Sequence, residues 1–309
     1  MRRSSQFNLI NFTLIIFVIG SYVLVAQNAI TGEWTASTKD EKPDKIQLSF
    51  DRRTEKGGRN QHGSSFALSD LQGLTREQAQ NGRVTFRLVR EAGTIECEGT
   101  FTNGRGVGTF RFVPNMAFVD AMRQRGFDFA KDETKTHTSK TDVRQHESPI
   151  EDKLFTAAMV NVTTTLADDL RSANFENLDV GDLFKAAIFK IDGKFMAEMK
   201  ATGWPNMRME ELVKARIFKI DANYIRQVRE MGFAESDFEQ MVKFRIFKVT
   251  PEFLSELKSL GFADLNAEQI VKFRIFNISG DFIRQARAEE PNITIEQLVE
   301  RKIGIRRRH

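Results

Sequence analysis

One cysteine, Cys97, stands in 309 residues, which excludes an internal disulfide framework and any metal site built from several cysteines. Histidines are few, at His62, His137, His146 and His309, and none has a second at the spacing of a helical zinc pair. Neither sign of charge dominates. Forty-six Lys and Arg against 42 Asp and Glu leave a net charge of +4, too little for the phosphate track of a nucleic-acid binder. Tyrosine and tryptophan are scarce, two of each against 27 phenylalanines, so aromatic rings are expected mainly as core filler.

Long apolar runs are also lacking, with one exception from Leu9 to Val25, preceded by Arg2 and Arg3. Interrupted by Asn11, Thr13 and Ser21, it is short for a membrane span. A basic start, an apolar middle and small residues afterwards predict a secretory signal peptide over residues 1–27, with Ala26 as a cleavage residue. An uncleaved anchor is the alternative and would be the only membrane attachment. Both readings predict an extracytoplasmic protein, periplasmic or secreted.

Residues 30–112 carry period-two patterns. Ile46, Leu48 and Phe50 alternate with polar residues, as do Val84, Phe86 and Leu88. Asn103-Gly104 between two such runs is a type I′ hairpin signal. A small antiparallel β-sandwich or partly open barrel of five or six strands is expected, with "QHGSSFALSDLQGLTREQAQNG" (61–82) as a long loop carrying a helical turn near Thr75 to Gln80. "GRGVG" (104–108) joins two strands and does not open a helix, so it lacks the amides of a phosphate loop. His62 beside Ser64 and Ser65 has no orienting third residue or oxyanion donor. Cys97 reads as a buried small hydrophobe.

The remainder repeats itself. Phe189, Phe218, Phe247 and Phe276 recur every 29 residues, as do Ile188, Ile217, Ile246 and Ile275, and Lys185, Lys214, Lys243 and Lys272. Gly203, Gly232 and Gly261 keep the same step. Each unit parses as two short helices. The first opens on Asp192, Asp221, Thr250 or Ser279, each an N-cap worth about 1 kcal/mol, and closes on glycine. The second opens on Asp237, Asn266 or Thr294, each with Gln three residues on, and buries Ile270, Val271 and Ile275. Helices of about ten residues are unstable alone, so the units are expected to stack.

The same template finds earlier copies at Leu166, Leu170, Asn174 and Phe175 and at Phe118, Met122, Gly126 and Phe127, the latter interrupted by the polar insertion Lys131 to Glu147. The fold class expected is therefore α+β in two domains: the β domain at 30–112, then an α-solenoid of about six 29-residue hairpins over 113–305. A basic tail, 306–309, follows.

Cations cluster at the ends of the second helices. Lys214, Lys243 and Lys272 follow Glu210, Glu239 and Glu268 by four residues, a helix-stabilising order. Arg216, Arg245 and Arg274 have no such partner. They read as a ladder bonded to carbonyls or acids of the neighbouring unit; together with Lys214, Lys243 and Lys272 they are alternatively candidates for contact with an acidic glycan, polyphosphate or acidic protein. His137 and His146 fall in the acid-rich insertion, which reads as a solvated loop.

"VTPEFLSELKSLGFADLNAEQIVKFRIF" (249–276) resembles the "GVTPEYIRELRALGY…LSADQLI" helical repeats of bacterial extracytoplasmic proteins, some attached to sensor-type zinc metallopeptidases of the β-lactam-receptor kind. "GEWTAS" and "FRLVREAGTIECEGTF" resemble the β module that often precedes such repeats. The peptidase's H-E-x-x-H is absent here, the His146-Glu147 pair being followed by Ser-Pro. The resemblance implies a scaffold or an accessory.

The function expected is a non-enzymatic, monomeric binding scaffold without cofactor or metal, recognising a protein or envelope polymer. The alternatives are a sensor subunit of a membrane partner such as a metallopeptidase, and a hydrolase with its site in the β domain near His62.

Overall fold

The structure, a computed structural model, is α+β and describes residues 30–38, 44–53, 59–131, 149–173 and 178–304. The expected leader, residues 132–147 of the insertion, Asn174, Phe175, Ile305 and the tail lie outside the described residues. No described helix is long and apolar enough to cross a membrane.

Seven strands, β1 (Ile30–Thr38), β2 (Lys45–Arg53), β3 (Arg59–Ala67), β4 (Leu71–Gln72), β5 (Gly82–Arg90), β6 (Gly93–Thr102) and β7 (Arg105–Pro114), form one antiparallel sheet in the order β3-β2-β1-β7-β6-β5-β4. It curls into a half-barrel. Of the two shapes expected, sandwich or partly open barrel, the sheet takes the second, with seven strands where five or six were expected. The added strands come from the stretch read as a loop, where His62 to Ser65 lie in β3, paired with β2 from Phe50↔His62 to Gln47↔Ser65. β3 is an edge strand in which Phe66 is the only buried side chain among the described residues, so it shows no apolar alternation in the sequence. The stretch from Thr75 does make a helical turn, with Ala79 N bonded to Thr75 O.

One face of the sheet is apolar. Ile46, Leu48, Phe50, Val84, Phe86 and Leu88 are buried, as alternation requires. Asn103 and Gly104 both take positive φ, 50° and 72°, the pattern of a type I′ turn. Gly99 and Gly108 face each other across β6 and β7. The space a Cβ would take beside them holds the Trp34 indole, whose Nε1 donates to Glu98 O at 3.1 Å. The "GRGVG" glycines thus seat a tryptophan against a hairpin.

Among the described residues twelve helices follow: α1 (Met116–Gln124), α2 (Ile150–Val160), α3 (Thr164–Ser172), α4 (Val180–Phe189), α5 (Gly193–Ala201), α6 (Met209–Ile217), α7 (Ala222–Glu230), α8 (Phe238–Ile246), α9 (Pro251–Ser259), α10 (Ala267–Ile275), α11 (Gly280–Glu289) and α12 (Ile295–Lys302). Local chemistry sets their ends. Asp192, Asp221, Thr250 and Ser279 each accept the amide three residues on. Asn266 and Thr294 form full capping boxes with Gln269 and Gln297. Gly203, Gly232 and Gly261 follow α5, α7 and α9 at φ of 100°, 98° and 79°, where a Cβ would be strained.

Helices pack mainly on the next but one: α1 on α3, α2 on α4, α3 on α5, α4 on α6, α8 on α10, α10 on α12. Ile270, Val271 and Phe273 of α10 are buried. Ile275 is not; it is 50% exposed, against the expectation that it lines the core. It occupies the last helical residue, where no helix among the described residues covers it.

Strand β7 runs on to Pro114, past the expected boundary, and a continuous cluster of buried side chains extends from Trp34 to Leu298. The junction is α2. Phe155 is 1% exposed and meets Phe50, Phe110 and Phe112 of the sheet, with ring centroids 6.1, 5.7 and 5.4 Å away. Asp152, one turn before it, pairs with Arg52 of β2. At the end of the sheet Glu91 accepts from Thr164 N in the first turn of α3 at 2.8 Å.

Candidate interaction surface

The final turn of each even-numbered helix from α6 to α10 reads Arg-Ile-Phe, and the four residues of the repeated "RIFK" phrase have different fates. The arginines point back along the chain. Arg216 Nη2 donates to Lys190 O at 2.6 Å, Arg245 donates to Phe218 O at 3.0 Å and Lys219 O at 2.9 Å, and Arg274 Nη2 donates to Lys248 O at 2.7 Å. Each accepting carbonyl lies just past the C-terminus of the preceding even-numbered helix, where carbonyls lack an intrahelical partner and the helix dipole favours a cation. The guanidinium carbons also lie over the Phe195, Tyr224 and Phe253 rings at 3.7, 4.2 and 3.9 Å from the centroids. Burial pushes the Tyr224 hydroxyl up to about 12, Arg245 opposing. These arginines are staples between neighbouring helix pairs, a geometry that leaves their donors little freedom for a ligand.

Replacing Arg245 by alanine is expected to destabilise the fold by about 1–2 kcal/mol, since a charge-assisted bond and a cation–π contact are lost. Arg245→Lys should recover only part of this, because an ammonium cannot reach both carbonyls as the guanidinium fork does. Urea unfolding followed by far-UV circular dichroism measures both.

A second set of staples escaped the sequence reading. Arg171 donates to Gln124 O at 3.2 Å, Arg229 to Thr202 O at 2.5 Å, and Arg287 to Leu260 O, all near the ends of odd-numbered helices. Positions 171, 229 and 287 obey the 29-residue step, but lysines at 200 and 258 interrupt the signal.

The lysines behave differently from expectation. Lys214 pairs with Glu239 of α8 at 2.5 Å, and Lys185 of α4 pairs with Glu210 of α6 at 2.9 Å. Glu210, four residues before Lys214 on the same helix, is not its partner, and Lys185 also pairs within its own helix with Asp182, three residues before it, at 2.9 Å. The hydrogen bond from Lys185 holds the Glu210 carboxyl below its ordinary value. The bridges to Glu239 and Glu210 run between helices, as the arginines do. No described carboxylate pairs with Lys243 or Lys272.

Ile188, Ile217, Ile246, Ile275 and Ile303, by contrast, are between 47% and 53% exposed. They stand one per unit along the C-terminal ends of α4, α6, α8, α10 and α12. Two residues on, Lys190, Lys219 and Lys248 are exposed, unpaired among described residues, and held at φ of 57°, 53° and 52°. Left-handed backbone costs a residue with a Cβ about 1 kcal/mol, and Asn277 fills the same place in the next unit at φ 50°. A row of isoleucines beside a row of lysines therefore lines one edge of the helices.

The other candidates are less open. His62 of β3 is half-buried against Phe155, with centroids 5.7 Å apart. Burial first, then the Arg52 guanidinium, hold its imidazole below the ordinary value, opposed by the Asp152 carboxylate. That carboxylate bonds Arg52. A lowered folded-state value means that the unfolded chain binds the proton more readily. The neutral imidazole's contribution is complete above the ordinary histidine range and is lost as pH falls through the lowered value. His62→Gln is therefore expected to flatten the loss of stability between pH 7 and 5, measured by urea midpoints across that range. Cys97 is buried and its thiol is pushed up by burial. His137 and His146 lie outside the described residues.

No protein-family model matches the chain, and no curated protein or solved structure matches it.

Proposed function

We propose that the chain is a non-enzymatic, extracytoplasmic binding scaffold in which residues 113–305 form a separate α-solenoid of about six helical hairpins that presents its edge to a protein or envelope polymer. The observation that carries the reading is the isoleucine row. Large apolar side chains half open to water, repeated once in each of the last five units, are a feature that core packing does not require. The arginines at neighbouring positions staple the units, so the exposed isoleucines are the residues left over for recognition. Stacked units with an exposed edge provide the extended binding surface that repeat proteins use. Export of the chain behind residues 1–27 belongs to the same proposal, as do a monomeric state and the absence of cofactor or nucleic-acid partner.

A photo-crosslinking residue placed at Ile246 in the full chain, and separately at exposed Val107 of the sheet, tests it in cells. Adducts to another macromolecule from Ile246 and not from Val107 are expected. Adducts from Val107 alone, or from neither position, would overturn it. Protease treatment of intact and permeabilised envelopes tests the location, cytoplasmic protection being the adverse result.

A further inference from the structure

The exposed row has a spacing and a charge, and both constrain what fits it. Packed helix axes lie about 8–10 Å apart, so the isoleucines at the ends of α4, α6, α8, α10 and α12 present one apolar anchor per such step. An extended strand returns a side chain to one face every two residues, about 6.7 Å, which falls out of phase after one unit. A helix laid across the row returns an apolar residue every heptad, about 10.5 Å, and stays near phase over several units.

The row is also narrow. Among the described residues of α4 to α12 no other large apolar side chain is exposed, and exposed Lys190, Lys219 and Lys248 follow the isoleucines two residues on, while the ion-paired Lys185 and Lys214 precede them by three. A membrane surface requires a broad apolar face; this edge suits a linear ligand. Its unpaired charge is cationic, so the ligand's flank facing those lysines is acidic. The chain's own segments fit poorly. Residues 1–29 contain no Asp or Glu and carry Arg2 and Arg3, while the insertion from Lys131 to Glu147 has a single large aliphatic residue, Val143.

Resting on the scaffold reading above, we infer that the occupant is an amphipathic helix of a partner protein, about four heptads long, its apolar stripe on Ile188, Ile217, Ile246, Ile275 and Ile303 and glutamates or aspartates along the flank over Lys190, Lys219 and Lys248. The binding mode is recognition of an amphipathic helix by spaced apolar anchors, with the lysine row setting which flank faces it and speeding encounter.

The probe is a synthetic, fluorescein-labelled 28-residue peptide with leucine at the first and fourth places of each heptad and glutamate at the flanking places. Its twin carries lysine there instead. Fluorescence anisotropy with the full chain is expected to show saturable binding of the acidic peptide, at least tenfold tighter than of its twin, weakening as salt is raised. Ile217→Ser with Ile246→Ser should weaken it by on the order of tenfold or more. Lys219→Asn with Lys248→Asn should remove the preference for acidic flanks. Asparagine already fills this backbone conformation at Asn277, and the replaced side chains are exposed, so the melting temperature serves as a control for folding.

Equal binding of the two peptides, or binding unchanged in both double variants, would overturn the inference. So would binding to vesicles of three parts phosphatidylcholine and one part phosphatidylglycerol with the peptide ignored. A self-association seen by analytical ultracentrifugation and abolished by the isoleucine variants would assign the edge to a second copy of the chain and overturn it likewise. If crosslinks from Ile246 persist in cells while the acidic peptide is ignored, this inference fails and the scaffold reading stands. If neither is seen, both fall.

Discussion

Replacing Phe155 with alanine is expected to lower the unfolding free energy by about 3–5 kcal/mol, the range for deleting a buried aromatic. Phe155 belongs to α2, yet most of its aromatic neighbours belong to the sheet: Phe50 of β2 and Phe110 and Phe112 of β7. The ring therefore holds the first helices against the strands. Little near it can refill the space, because Phe112 and Leu154 are themselves fully buried and held by their own strand and helix. Phe155→Leu should recover roughly half of the loss, keeping most of the apolar volume. Urea unfolding read by far-UV circular dichroism and by tryptophan fluorescence distinguishes the outcomes. Trp34 reports the sheet and Trp204 the helices, so two separated transitions in the alanine variant would identify Phe155 as the coupling between them. A loss below about 1 kcal/mol would show that the junction does not depend on this ring.

The second large effect is expected at Gly108. A methyl group there would stand 2.0 Å from Glu98 O and 2.7 Å from Trp34 Nε1. A flexible side chain could swing aside, but the first obstacle is the backbone of the paired strand. Gly108→Ala must part β6 from β7 or displace the indole, at about 3 kcal/mol or more. Gly126→Ala supplies the comparison. Nothing lies within 4 Å of its added Cβ, and only the positive φ of 88° is strained, so about 1 kcal/mol is expected. Thermal unfolding of both variants checks the order. Equal losses would mean that space around Trp34 does not limit β6–β7 pairing.

How legible was all this in the sequence? The helix ends were nearly complete in it. Asp192, Asp221, Thr250 and Ser279 act on an amide three residues away, and Asn103-Gly104 acts on its own φ angles, so the information and the interaction lie within one short stretch. Strand β3 was illegible for a matching reason. "HGSSF" has neither β-branched residues nor alternation, and it is a strand because β2 offers it an edge, a partner ten or more residues distant along the chain. The second set of arginine staples was present at the right spacing, but two lysines broke the pattern.

The candidate surface divides in the same way. By itself the sequence determined that Arg216, Arg245 and Arg274 are equivalent, that Ile217, Ile246 and Ile275 are equivalent, and that whatever one of each does its fellows do. It could not say which of the two sets faces outward. A helical wheel places Ile275 in the stripe of Val271 and so among core residues, but burial is a property of what stands opposite, and no described residue covers Ile275 at the end of α10. The arginine, exposed at Arg245 and half-buried at Arg216 and Arg274, turns back along the chain because carbonyls past the preceding helix need donors and lie within its reach. Only the tertiary structure decided that exchange. Periodicity fixes sameness along a chain, whereas burial depends on neighbours brought there from elsewhere in it.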